Sequence, residues 1–118
     1  MKIIPVLVLT LLALPALAHH SFAIYDFNTM IPYEGVVEEL DFRNPQIAMK
    51  LKTEDENGKE MIIEFIEGPP ANMLARQGLK PDMVKVGTRI TAVASPLHED
   101  KTKFFLRIIR LENGDEYQ

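Results

Sequence analysis

Residues 46–78 read QIAMKLKTEDENGKEMIIEFIEGPPANMLARQG, and their pattern decides the fold. Gln46 to Thr53 alternates, with Ile47, Met49 and Leu51 on one face and Ala48, Lys50 and Lys52 on the other, as a half-buried strand requires. The polar group Glu54-Asp55-Glu56-Asn57-Gly58 carries an Asn-Gly pair, the strongest short hairpin signal, so Glu60 to Ile66 is expected as an antiparallel return strand. Gly68-Pro69-Pro70 stops the sheet pattern. Ala71 to Gln77 is then the one convincing helical stretch, with proline at its start and Gly78 past its end.

Upstream of this block, Tyr33 to Asp41 reads as a first strand and Asn44-Pro45 as a turn, because proline biases its predecessor away from helix. Downstream, Pro81 to Val84 is a loose turn, and Gly87 opens a strand from Thr88 to Ala94 that closes at Ser95-Pro96. Leu97 to Thr102 is a polar loop, Lys103 to Leu111 a fifth strand, and Asn113-Gly114 turns the chain into a short acidic tail. Three meandering strands, a short helix and two more strands predict an all-β fold. The expected form is a small OB-like five-stranded antiparallel barrel with the helix between strands three and four. It occupies residues 33–118, behind an irregular arm of residues 19–32. A six-stranded open sandwich is the alternative if residues 22–28 also pair. The expected core is Val36, Ile47, Met49, Leu51, Ile63, Phe65, Leu74, Ile90, Leu106 and Ile108.

The first residues concern destination rather than fold. Lys2 supplies a short positive region, Ile3 to Leu14 are uncharged, and Pro15-Ala16-Leu17-Ala18 places small residues where a signal peptidase reads them. Residues 1–18 are therefore expected to be a cleaved signal peptide, leaving His19-His20-Ser21-Phe22 at a new amino terminus. The apolar run is too short to span a bilayer. The short positive region fits a bacterial export signal, so the expected location is the periplasm, with no membrane anchor after cleavage. Losing Lys2 makes the formal net charge one unit more negative than the −4 of the whole chain. With no cysteine, stability must come from packing, and thiol chemistry, a lipoprotein anchor and cysteine-ligated zinc are excluded. A domain of this size makes a core but not a core plus a deep, many-walled active site, which favours a binding module or a shallow surface site.

These same residues carry a family resemblance. His19-His20-Ser21-Phe22 with Asp26, Gly35-Val36-Val37, Asn44-Pro45, Glu64, Leu74 with Gly78, and Gly87 ahead of a strand ending in Pro96 resemble a family of small exported bacterial proteins. That family is a domain of unknown function whose members begin with Ala-His-His-Ser-Phe. The resemblance implies export and a compact β domain, and no activity. The family pattern has a tryptophan ahead of Asn-Pro and a histidine directly after it, where this chain has Phe42 and Gln46.

The paired histidines are the strongest chemical feature. An α-amine titrating near pH 8 and an imidazole on the same first residue can close a chelate ring on one metal ion, and neutral imidazole suits copper or zinc. The candidate metal ligands are His19, His20 and His98, the last in the loop between strands four and five. In an OB-like barrel that loop lies at the same end as the turn Arg43 to Gln46. Read without a metal, the two histidines are polar residues behind a cleavage site.

Other signals are structural. Thr53-x-Asp55-x-Asn57-Gly58 with Glu64 has the outline of a calcium loop, but threonine stands where the first aspartate belongs, and the segment reads as a solvated hairpin. Glu38, Glu39 and Asp41 read as surface charge, and Met49, Met61, Met73 and Met83 as core filling. Phe104 and Phe105 beside Lys101, Lys103, Arg107 and Arg110 have the outline of a nucleic-acid platform, against which stand the acidic balance and export. No serine elbow, phosphate loop or dinucleotide fingerprint is present. The function expected is an exported, non-enzymatic binding or interaction module for a protein or small ligand. It needs no cofactor and binds no nucleic acid. The alternative is a periplasmic copper- or zinc-binding protein using the new terminal histidine.

Overall fold

Burial with period two runs through the long segments of the chain and sets its strands. In a computed structural model that describes residues 22–118, a 3-10 turn (Phe22–Ile24) leads into β1 (Ile31–Asp41), β2 (Ala48–Glu54) and β3 (Glu60–Glu67). A short helix α1 (Ala71–Arg76) follows, then β4 (Arg89–Pro96), β5 (Lys103–Leu111) and a two-residue β6 (Glu116–Tyr117). The Asn-Gly hairpin is present: Gly58 takes φ 76°, and the Asp55 carboxylate accepts the Asn57 and Lys59 N–H groups at 2.9 and 2.8 Å. Strand order β3-β2-β1-β4-β5, with β3 returning to β5, closes a five-stranded barrel. Closure leaves few open edges for unwanted pairing.

The fold is the OB-like barrel expected, with its helix between strands three and four. The closing pair β3–β5 is parallel, so the barrel is mixed where alternation alone implied antiparallel pairing throughout. β6 pairs with β5 and buries Tyr117, so the sixth strand comes from the tail rather than from residues 22–28, which contribute a single bridge, Tyr25 to Leu97.

β1 is shared between two neighbours. Ile31 to Val36 pair with β4, and Val36 to Asp41 pair with β2. At the changeover sits Gly35, where an added Cβ would lie 2.2 Å from the Lys52 carbonyl oxygen, so only hydrogen fits between the two backbones.

Two positions of the expected core are wrong by one residue. Val37 is buried in place of Val36, and Ile109 in place of Ile108. Each error follows from a β-bulge. The register slips between Val37 and Glu39 in β1, and between Leu106 and Ile108 in β5, and one extra residue moves the following side chains to the opposite face. Ile47, Met49, Leu51, Ile63, Phe65, Leu74, Ile90 and Leu106 are buried as expected, joined by Leu79, Val84, Ala92, Ala94, Phe104 and Tyr117. No helix among the described residues is long and apolar enough to cross a membrane.

Candidate functional site

The arm ahead of β1 is built onto the barrel at the β4–β5 hairpin. The Asp26 N–H donates to the Pro96 carbonyl at 2.8 Å, the His98 N–H donates to the Ile24 carbonyl at 2.9 Å, and the Ser95 hydroxyl donates to the Thr29 carbonyl at 2.8 Å. Arg107, the extra residue of the β5 bulge, is aimed at this junction. It donates to the Phe27 carbonyl at 3.2 Å and to the Ser95 hydroxyl at 3.0 Å, and its guanidinium carbon lies 5.0 Å from the centre of the Phe27 ring. Phe105 sits beneath, 5.3 Å from the Tyr25 ring and 5.2 Å from the Phe27 ring, both in edge-to-face geometry. Asp26 shapes the turn, accepting the Thr29 hydroxyl at 2.5 Å and the Asn28 N–H at 3.2 Å.

The arm's grip is tied to pH at both ends. The Thr29 hydroxyl, above all, holds the Asp26 carboxyl below its ordinary value, with help from the Asn28 N–H and the charges of His98 and Lys101. A depressed carboxylate stabilises the fold above its unfolded value and ceases to do so as pH falls through the folded one. The Tyr25 hydroxyl is buried without a hydrogen-bond partner among the described residues, and burial, followed by the nearby Glu67 carboxylate, pushes it up to about 12. A raised phenol keeps its full contribution below about pH 10 and loses it as pH climbs toward the folded value. Alkaline titration followed at the tyrosinate absorbance should therefore show a step near pH 12. Tyr25→Phe should remove that step, while Tyr33, also raised by burial, still titrates late. A Tyr25 that ionises with an exposed tyrosine would contradict the docked arm.

Beside the arm lies an apolar cleft of about 420 Å³, lined by Pro45, Gln46, Glu67, Pro70, Met73 and Phe105. The β1–β2 turn and the start of β5 thus meet at one rim. The turn is tied to the helix, because the Ala71 N–H donates to the Arg43 carbonyl and the Asn72 N–H to the Asn44 side-chain oxygen, each at 3.1 Å. Gln46 donates to the Ile66 carbonyl at 3.4 Å. Glu67, 5 % exposed, stands opposite Phe105 in the β3–β5 pairing. Gln77 exchanges hydrogen bonds with the backbone of Gln118, closing the far side.

Of the sequence-predicted ligands, His19 and His20 lie outside the described residues, and His98 is exposed on the β4–β5 loop. Among the described residues no group of three His, Cys, Asp or Glu side chains comes together to hold a metal. The calcium outline is a hairpin. Thr53 turns inward and donates to the Glu34 carbonyl at 2.6 Å, and Asp55 is spent on its own turn. Glu39 pairs with Lys50 at 3.4 Å and Asp41 with Arg43 at 3.0 Å, as solvated surface charge. Met49 is buried and Met61 packs against the core, but Met73 and Met83 are exposed, so core filling describes only half of the four methionines. Phe104 is in the core, and Phe105 lies under the arm. Sequence reasoning missed Arg107 and Ser95 as anchors; the available signal was an arginine interrupting the apolar run KFFLRIIRL.

No curated protein and no solved structure matches this chain. A family model does, covering residues 7–105, from ahead of the paired histidines through the arm, the barrel strands, the His98 loop and Phe105. The chain belongs to that family, DUF6152, a family of unknown function.

Proposed function

We propose that the protein is an exported, non-enzymatic binding module of the periplasm. Its working surface is the rim where the arm, the β4–β5 loop and the cleft meet, and its partner is a protein or a small ligand. The observation that carries this reading is the fastening of the arm by Arg107 and Ser95. A segment held by a charged donor and two aromatic contacts presents a defined surface, which an unattached tail does not. The export signal read at residues 1–18 and the lack of a nucleophile or phosphate motif support the same reading. A photo-crosslinking residue placed at His98 should capture one discrete partner from periplasmic extract, and the same residue placed at Lys59, on the hairpin at the other end of β3, should not. Equal yields at the two positions would contradict a rim-specific module.

A second reading, copper or zinc binding through His19 with His20 or His98, is favoured by one contact. The His98 N–H is bonded to the Ile24 carbonyl. His20 is four residues from Ile24, a tether of at most about 14 Å. Copper(II) titrated into correctly processed protein should bind more tightly than into a version with one extra residue ahead of His19. The loss should be about tenfold or more, at least the cost of disturbing a ligand's support. Equal, weak binding by the two forms would remove the metal reading.

A further inference from the structure

We infer that Asn57 is a covalent modification site: its side-chain amide is lost spontaneously to give aspartate or isoaspartate, while Asn113, set in the same local sequence, is protected by the fold. This goes beyond the binding reading and does not depend on it.

The tripeptide Glu-Asn-Gly occurs twice, at Glu56-Asn57-Gly58 and at Glu112-Asn113-Gly114. A following glycine has no side chain, so its backbone nitrogen can approach the asparagine amide carbon with the least hindrance. The remaining asparagines lack that neighbour. Asn28 and Asn72 precede Thr29 and Met73, and Asn44 precedes Pro45, whose nitrogen carries no proton. The two Glu-Asn-Gly turns are also alike in backbone. Gly58 and Gly114 are exposed with φ 76° and 94°, and their N–H groups donate to the carbonyls of Asp55 and Leu111, each at 3.0 Å. Nothing lies within 4 Å of a Cβ built on either glycine, so neither site is walled off.

The side chains separate them. The Asn113 amide is held at both ends, its oxygen accepting the Asp115 N–H at 2.9 Å and its nitrogen donating to the Asp115 carboxylate at 3.1 Å. Asn57 donates its backbone N–H to the Asp55 carboxylate, and its side-chain amide has no hydrogen bond among the described residues. Turning the amide carbon toward the next nitrogen therefore starts from solvent at Asn57. At Asn113 it must first give up two bonds.

The step needs only water. The Gly58 nitrogen gives up its proton and bonds to the Asn57 side-chain carbonyl carbon, the bond from that carbon to the amide nitrogen breaks, and ammonia leaves. Water then opens the cyclic imide at one carbonyl or the other, giving aspartate or isoaspartate with no change of oxidation state. Either product adds a carboxylate to the run Glu54-Asp55-Glu56 and makes the chain one unit more negative than its −4. Isoaspartate also lengthens the backbone inside the turn, where the Asp55 carboxylate accepts the Lys59 N–H at 2.8 Å and Glu54 stands opposite Glu60. The tip of the β2–β3 hairpin loosens first in the modified protein.

The test holds the full-length protein at physiological temperature and mildly alkaline pH, folded and in parallel in urea, and follows both asparagines by peptide-mapping mass spectrometry with isoaspartate resolved. In folded protein Asn57 should convert at least about fivefold faster than Asn113, the rate equivalent of one net hydrogen bond. In urea the ratio should fall to whatever the differing neighbours, Lys59 and Asp115, impose by themselves. Asp115→Ala, which removes the carboxylate contact, should speed Asn113 in the folded protein and leave Asn57 unchanged. Equal rates in the folded protein, or a ratio identical in folded and denatured chains, would overturn the inference. So would an Asn57 that stays wholly in the amide form while the denatured chain converts, because the turn's own backbone bonds would then protect it.

Discussion

Gly35→Val is expected to destabilise the barrel by about 3–5 kcal/mol, the range reserved for substitutions with a specific steric cause. The cause is backbone meeting side chain. At this position β1 leaves β4 and takes up β2, and a Cβ would lie 2.2 Å from the Lys52 carbonyl oxygen and 3.2 Å from a Leu51 side-chain carbon. Neither the Lys52 carbonyl nor the peptide behind it can swing aside as a flexible side chain would, so the β1–β2 ladder must open. A domain of this size is typically stable by only about 5–15 kcal/mol, so the variant should sit near its folding threshold. Urea denaturation checks this, and Gly35→Ala should show most of the same loss. A midpoint within error of the parent protein would mean that the two strands do not approach as closely as described.

Arg107→Ala is expected to cost about 2–3 kcal/mol, because the guanidinium makes two charged hydrogen bonds and stacks on an aromatic ring. The loss should fall unevenly. The Ser95 hydroxyl keeps its bond to Thr29 but loses its donor partner, and the Phe27 carbonyl loses the arginine. Arm residues should therefore become protease-sensitive before the barrel melts. Arg107→Lys keeps the charge but not the planar fork, and should recover less than half of the difference. A thermal midpoint unchanged in Arg107→Ala, with the arm still resistant, would show that the aromatic contacts alone hold it.

The hairpin, the short helix and the order of strands were legible because each depends on local rules: alternation from Ile47 to Leu51, the Asn-Gly pair, and proline and glycine around Ala71 to Gln77. What local rules miss is where alternation breaks. The run Gly35-Val36-Val37-Glu38-Glu39-Leu40 offers two phases, and anchoring on Leu40 selects Val36, whereas the bulge buries Val37 and still lets Leu40 pack against the core. In β5 the slip at Arg107 does the same to Ile108 and Ile109. Gly35 itself was a readable sign, since glycine inside a strand marks a close backbone approach. Parallel closure of β3 on β5 and the two-residue β6 are long-range consequences of barrel shear that no window of sequence contains. At the rim, His98 was a readable candidate, but the anchors of the arm were not. Arg107, Ser95 and Phe105 are far in sequence from the arm they hold, and no spacing rule connects residue 27 to residue 107.

The rim exists only if the arm is fastened to the β4–β5 hairpin, and two amides report on that directly. The His98 N–H is bonded to Ile24 and the Asp26 N–H to Pro96, each crossing between arm and hairpin. Native-state hydrogen exchange should find both amides protected well beyond the neighbouring exposed loop, and both should lose that protection together in Arg107→Ala. Exchange of either amide at the rate of an unstructured peptide in the unaltered protein would contradict a fastened arm.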